Sequence, residues 1–524
     1  MHTSLIHSNH FYPAGKWYLS IWNTVSLLFL SFVFVIVLFL SNTQYAAKQQ
    51  LAEHNFIFAI IGALIGIGSY VICRFSAHLP AVLHGHCLEK VTFYTSICIF
   101  SIAALLTQQH NIAGAWFITD WDAGQAVDAV FNPSQYEWLY SYYPNNLFLI
   151  SIFRFLRALF TIQDFDTLYL LILEVGAVII SVSGLLVTLT AYNISHSFKA
   201  GYCTFILVTA FIVFSPQAFI PYTDSYGMLA PVLAVYLYSS RISAPIKISL
   251  VGFVAVLGSF IKPNAIIVLI AVIIIESSKF LSKIIKTEIS LQFQDLRKYV
   301  AAFVLFVLFA TFACCIGNSC KTFAAKDMTI RKEWSMSPAH YLMMGWNSES
   351  GGGYNQEDVN YSLSFSNPEE RKQGDLKVFR DRINDLGPFG VVKLGTKKLL
   401  SSFADGSGSW RMEGSFFVSI KGTNEVVKSY YGIGNHRPCG YTFVAQLFWV
   451  FILLGIVFQW FDKELTPTKC AVNLTLLGQG LFLLLFECRA RYLVQFWPLF
   501  VLATISGWKA LYQYLDRRVG RYDS

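Results

Sequence analysis

Runs such as WYLSIWNTVSLLFLSFVFVIVLFL (17–40) and AAFVLFVLFATFACCIG (301–317) recur along this chain. The predominantly apolar stretches are roughly 16 to 24 residues long, about what a helix needs to cross a hydrocarbon core of ~30 Å. Lipid offers no partner to a backbone N–H or C=O, so each block has to satisfy its own backbone as a helix. Hydrophobic residues are 55% of the 524 and charged residues 13%, with a mean hydropathy of +0.51. A soluble multidomain protein has no place for so many apolar residues. The 16% aromatic content suits membrane interfaces, where rings with polar tips sit well.

The pattern predicts an all-α polytopic membrane protein with about twelve spans, near 18–40, 55–76, 91–107, 167–190, 202–219, 226–240, 246–261, 264–278, 298–316, 441–460, 470–487 and 492–512. The first run follows Lys16 without a small-residue cleavage site and reads as an uncleaved anchor. Net charge is +8, but its distribution argues against nucleic acid. With the N-terminus inside, Lys90, Lys199, Arg241, Lys247, Lys279, Lys283, Lys286, Arg297, Lys463 and Lys469 all fall in cytoplasmic loops, and Arg517, Arg518 and Arg521 in a cytoplasmic tail. That is the positive-inside pattern.

Residues 145–160 are long enough to tempt a further span, but Arg154 and Arg157 share one helical face, and arginine near a bilayer centre is costly. An amphipathic helix in the outer interface is expected instead. The chain then divides into a transmembrane core (1–316) with a first outer loop at 108–165, an outer region (317–438) expected to form a small α/β or mixed domain, and C-terminal spans with a tail (439–524). The polar part of the first loop, about 108–144, holds Asp120, Asp122, Asp128 and Glu137 and no Lys or Arg. Cys320 and Cys439 bracket the outer region and could pair there; two unbonded thiols near helix ends is the plainer reading.

Four short motifs fall on the outer side of this topology. In FITDWDAGQ, Asp120 and Asp122 flank Trp121 just beyond a span, where a carboxylate could serve as a general base or in a cation site, or simply solvate the loop and cap a helix. In FSPQAFIPYTDSYGM, Pro216 and Pro221 break the helix beside Tyr222 and Asp224. Exposed backbone at that depth is tolerated only against protein, a cavity or water; a hairpin with a capping acid is the alternative. In IKPNA, Lys262 lies outside against the charge trend, so a phosphate or Asp224 should face it, unless it snorkels. In FECRARYLVQFWP, Glu487, Arg489, Arg491 and Tyr492 occupy the last outer turn. Arginine forks match phosphate, and pairing with loop acids would also explain them.

These motifs resemble those of the GT-C superfamily of integral membrane glycosyltransferases, which use polyprenyl-phosphate or polyprenyl-diphosphate sugars. WDAGQ followed by the 145–160 helix resembles that fold's acidic first outer loop with its juxtamembrane helices. SPQAFIPYTDSYGM resembles the P-x-x-F-x-x-x-Y-(S/T)-(D/E)-S segment of GPI-mannosyltransferase-like and dolichyl-phosphate-mannose mannosyltransferase-like members. KPNA resembles their later R-x-N-G, with Lys for Arg and Ala for Gly, and ECRARYLVQFWP resembles the E-R-x-R-Y-x-x-P of many bacterial members. The outer segments MGWNSESGGGYNQEDV and KKLLSSFADGSGSW also resemble an uncharacterised family of Gram-positive integral membrane proteins.

The resemblance implies a multi-pass protein of a bacterial plasma membrane with an extracytoplasmic site. That site would move a sugar, with inversion, from a polyprenyl-phosphate donor to a cell-envelope glycan, lipid or protein. Asp122, helped by Asp120, would be the base. Arg489, Arg491 and Lys262, with Asp224, Tyr222 and Tyr492, would bind substrate. The resemblance leaves metal need open: the DxD pair of Asp120 and Asp122 is compatible with a divalent cation, but many membrane-embedded transferases work without one. A polysaccharide polymerase or ligase is the alternative enzyme. A transporter fits less well, because neither midplane charges nor pseudo-symmetric halves are evident.

Overall fold

The computed structural model describes residues 17–41, 54–76, 86–285, 293–410, 417–434 and 440–519. Lys16, Lys286, Arg521 and the Cys439 half of the proposed thiol pair lie outside them. Among the described residues, eight helices are long and apolar enough to cross a membrane: Trp17–Leu40, Asn55–Ile72, Leu88–Ala115, Phe165–Ser195, Pro263–Ile285, Val300–Ala324, Gly440–Phe461 and Pro467–Leu485. The chain is an all-α, polytopic membrane protein.

The other four expected spans are helical, but do not meet that standard. Residues 202–219 and 246–261 correspond to the shorter apolar helices Phe198–Val213 and Ala244–Ser259. The first ends in a wide turn at Thr209–Val213 ahead of Pro216, because proline removes a backbone donor and crowds the preceding turn. Residues 226–240 form only Leu229–Ser239. The last expected span begins late, at Trp497, after a tight 3₁₀ stretch from Ala490 to Phe496, and carries Arg517 and Arg518 in its final turn.

The interior is aromatic where helices cross. Phe211 lies against Trp497, with ring centroids 4.8 Å apart, and Trp449 meets Phe500 edge-on at 5.1 Å. On the periphery, Phe303, Val304, Leu308 and Phe312 of the Val300–Ala324 helix are exposed, as a lipid-facing surface should be.

The expected helix at 145–160 is present as Leu147–Leu159. Its arginines turn into the protein rather than toward headgroups. Arg154 is buried and donates to Asp327 at 2.9 Å, while Arg157 donates to the Val130 carbonyl at 2.9 Å and lies over the Phe131 ring. Region 317–438 is largely helical, with Pro338–Gly345, Gln356–Leu363, Pro368–Phe403 and Glu425–Tyr431. Its described strand β2 (Phe417–Ile420) does not start a sheet of its own. It pairs antiparallel with β1 (Phe117–Thr119) of the first loop, with a bulge between Ile118 and Thr119. The sheet is therefore a clasp between the two long loops, which meet at one end of the bundle.

The long-loop region also has polar groups buried away from the membrane helices. Arg371 donates to the carbonyls of Ser362, Trp334 and Phe365 at 2.8–3.0 Å. His340 Nδ1 lies 2.7 Å from Ser362 Oγ, which donates to Asp375 at 2.7 Å. Burial lowers the His340 imidazole to about 4. Each polar group is bonded on at least one side, which is what keeps such a network tolerable in a dry interior.

Candidate functional site

The loop-rich end draws three of the four motifs, and part of the fourth, into one cluster. Its base is the turn at WDAG. β1 ends at Thr119, and the short helix Asp122–Asp128 folds back so closely that a Cβ on Gly124 would lie 1.6 Å from the Thr119 carbonyl oxygen. Only glycine permits that approach. The turn separates the two acids of the motif. Asp120 is exposed and its side chain makes no hydrogen bond or ion pair among the described residues, whereas Asp122 faces the proline-interrupted segment.

There, Tyr222 Oη donates to Asp122 Oδ2 at 3.0 Å and is approached by Asn146 Nδ2 at 3.4 Å. Burial pushes the Tyr222 phenol well above its ordinary range, the Asp122 charge adding to the effect, so it remains a donor. Asp122 Oδ1 takes no hydrogen bond from the described residues. The carboxylate is thus oriented by one oxygen and open at the other.

Asp224, in the one-turn helix Thr223–Tyr226, is buried. It is paired with Lys262 of KPNA through Oδ1, and Arg491 Nη1 lies 3.9 Å from its Oδ2. That second separation is an ion pair beyond hydrogen-bond length. The Arg491 guanidinium stands over three rings, 4.6 Å from Trp121, 5.2 Å from Tyr222 and 5.6 Å from Tyr492. Lys262 lies 4.9 Å from the Tyr492 ring. Such cation–π contacts favour a cation held against aromatic faces.

Buried amides lock these segments together. Asn264 donates to Gln479 at 3.2 Å, Gln479 to the Tyr492 carbonyl at 3.0 Å, and Gln495 to the Gly227 carbonyl at 3.0 Å. Arg489 is not drawn into the same cluster. It follows the extended backbone at the start of the 3₁₀ stretch, donates to Glu487 at 2.9 Å and lies 5.5 Å from the Tyr354 ring.

Four further polar or aromatic residues gave no clear signal in the sequence. Asn146 is an ordinary loop amide by pattern. Trp121 was visible only as the residue between two acids, yet its buried indole N–H has no partner among the described residues. Lys398 is fully buried on the long helix, donating to the carbonyls of Gly345, Leu484 and Phe486 at 2.6–2.8 Å. It ties the end of the Pro338–Gly345 helix to the turn that carries Glu487 and Arg489, and burial lowers its ammonium to about 8. Glu174 lies within the Phe165–Ser195 helix, half-buried and bonded to Gln109, an intramembrane acid that the loop motifs overshadow. Among the described residues, no three His, Cys, Asp or Glu side chains gather as a metal site.

A family model described as "conserved hypothetical integral membrane protein" matches residues 14–511. The chain belongs to that family. The match runs through all four motifs and both long loops, so the cluster lies within the family's own extent rather than in an appended segment. No curated protein matches the chain, and no solved structure does.

Proposed function

We propose that this protein is an inverting glycosyltransferase of the GT-C type, moving a sugar from a polyprenyl-phosphate donor to a cell-envelope acceptor at the extracytoplasmic face of a bacterial plasma membrane. The observation that carries the reading is the cluster itself. Asp122, which takes a hydrogen bond from Tyr222 on one oxygen only, is joined through that ring to Arg491, and Arg491 and Lys262 share the buried Asp224 and a floor of aromatic rings. The positive-inside charge pattern favours the extracytoplasmic side for this end. About twelve membrane crossings then require the shorter helices to span alongside the eight long ones.

In the proposed reaction, the acceptor hydroxyl gives its proton to Asp122 Oδ1 as its oxygen bonds to the anomeric carbon. The bond from that carbon to the lipid phosphate breaks, and its electron pair stays on the phosphate oxygen. Arg491, with Lys262 behind it, would meet the charge gathering there, as fixed cations do in phosphate-leaving reactions. The buried Trp121 N–H suits a donor oxygen, since buried donors are nearly always paired. Asp224 is better suited to holding the cations than to acting as base. Asp120, exposed and outside the cluster's hydrogen bonds among the described residues, would serve only at the rim, where a divalent cation could also sit. Arg489 would support the turn through Glu487.

The test is a comparison of lipid extracts from wild-type and deletion strains, followed by transfer assays in membranes. Accumulation of a polyprenyl-monophosphate sugar in the deletion, consumed when the protein is restored, is the expected result. Accumulation of a lipid-linked oligosaccharide would make the protein a polymerase or ligase. Unchanged lipid pools together with no transfer in membranes would reject both.

A further inference from the structure

The long helix Pro368–Phe403 changes character at its kink. From Glu369 to Asp385 it is dense in charge. At Gly387 the backbone adopts φ 57° and ψ 179°, conformational space that glycine alone occupies readily, and Pro388 begins a new helical direction. The next residues, Phe389 to Val392, carry no charge, and two of them project outward: Phe389 is 82% exposed and Val392 67%. They lie three apart, on one helical face. From Leu394 onward the helix is mostly buried.

The depth of this segment is set by its neighbours. A Cβ at Gly395 would lie 3.7 Å from Leu484, at the end of the membrane-spanning Pro467–Leu485 helix. Three residues on, Lys398 holds the Leu484 and Phe486 carbonyls, and Trp346 donates its indole N–H to Leu485 at 3.1 Å. A tryptophan at the end of a span is where membrane-interface aromatics gather. Leu481 and Leu485, on the same end of that helix, are themselves exposed. At the far end of the long helix the Ala404 carbonyl accepts from Asn55, the start of another span, at 3.3 Å, so the helix lies along the level of two span ends. Phe389, nine residues before Lys398 and about 13 Å along a helix, extends that line.

We propose that residues 388–393 form a membrane anchor, with Phe389 and Val392 inserted into the acyl boundary of the bilayer and the exposed Lys393 at the headgroups. The kink at Gly387 lets one helix change from water to lipid without a loop. This would fasten the helix that positions Lys398, and through it the turn of Glu487 and Arg489, to the membrane surface. The inference does not depend on the transferase reading.

Photocrosslinking of the full chain in phospholipid vesicles tests it, with p-benzoylphenylalanine placed in turn at Phe389, at Asn384 in the charged half, and at Phe312 on the lipid-facing Val300–Ala324 helix. Lipid adducts at 389 should match those at 312 and exceed those at 384 several-fold. Adducts at 389 no greater than at 384 would overturn the anchor. So would a crosslink from 389 predominantly to a second copy of the chain, which would make the patch an oligomer interface.

Discussion

The Pro467–Leu485 and Val300–Ala324 helices both have the length and apolarity of a membrane span, yet 72% of the most apolar stretch of the first is buried in protein and only 11% of the second. The enclosed helix is the more polar of the two. Asn473 donates to Asn23 and to Gln459, each at 2.8 Å, and Gln479 links the KPNA segment to Tyr492. Within a bilayer, a helix can afford amides only where other helices supply partners. The peripheral helix meets lipid tails, which supply none, and its middle is apolar all round. The same enclosure makes the polar helix a firm mount, and its C-terminal end leads directly into Glu487, Arg489 and Arg491. A site built on such an element is better fixed than one carried on a loop.

If the enclosed half carries the chemistry, the largest losses should come from its loop-rich end. Asp122→Asn keeps shape and the Tyr222 contact but removes basicity, so turnover should fall by at least about 100-fold while donor binding and protein level persist. Assays in membranes with matched expression check this. Near wild-type turnover would move the base elsewhere. Next is Arg491→Lys, which keeps charge but loses the guanidinium fork and its fit over three rings. Donor affinity should fall by about tenfold, ~1.4 kcal/mol, measured by titration of a labelled lipid-phosphate sugar. Arg489→Lys should be milder, because Arg489 is engaged with Glu487. Equal effects from the two would erase the distinction between the cluster and its supporting turn.

Most of the fold was legible because lipid removes choices: a long apolar run in a membrane has little alternative to a helix. The four motifs were legible because charge and proline are conspicuous between such runs. Their pairings were not. Nothing local distinguishes Asp120 from Asp122. The choice depends on Gly124, which lets the backbone turn onto Thr119 and send one acid outward and the other toward Tyr222. Lys262 and Asp224 are 38 residues apart and meet only because two broken helices end at the same depth. Where the strand of region 317–438 pairs was hidden for a related reason. A strand's partner is non-local, and β2 finds its own in the first loop. Nor does an apolar run reveal where Pro216 or a 3₁₀ stretch will cut a helix short, which is why four of the twelve expected spans are helices outside the eight that are long and apolar enough by themselves.

The remaining predictions concern stability, and they separate the two helices most directly. Asn473→Leu in the enclosed helix leaves Asn23 and Gln459 facing an apolar side chain, so their amides lose partners in a dry setting. A loss of about 1 kcal/mol is expected, at the upper part of the range for interhelical hydrogen bonds in membranes. Leu308→Ala in the peripheral helix should cost less than about 0.5 kcal/mol. Leu308 is 60% exposed, and lipid chains are as apolar as the side chain removed, so no water-driven burial is forfeited and acyl chains can fill the space left. Alanine is also the best intrinsic helix former, which offsets part of any lost packing. Unfolding midpoints of both variants in the same lipid nanodiscs make the comparison. Equal losses would mean that the outward face of Val300–Ala324 packs against protein, such as a second copy of the chain, and that its exposure is an interface rather than a lipid contact.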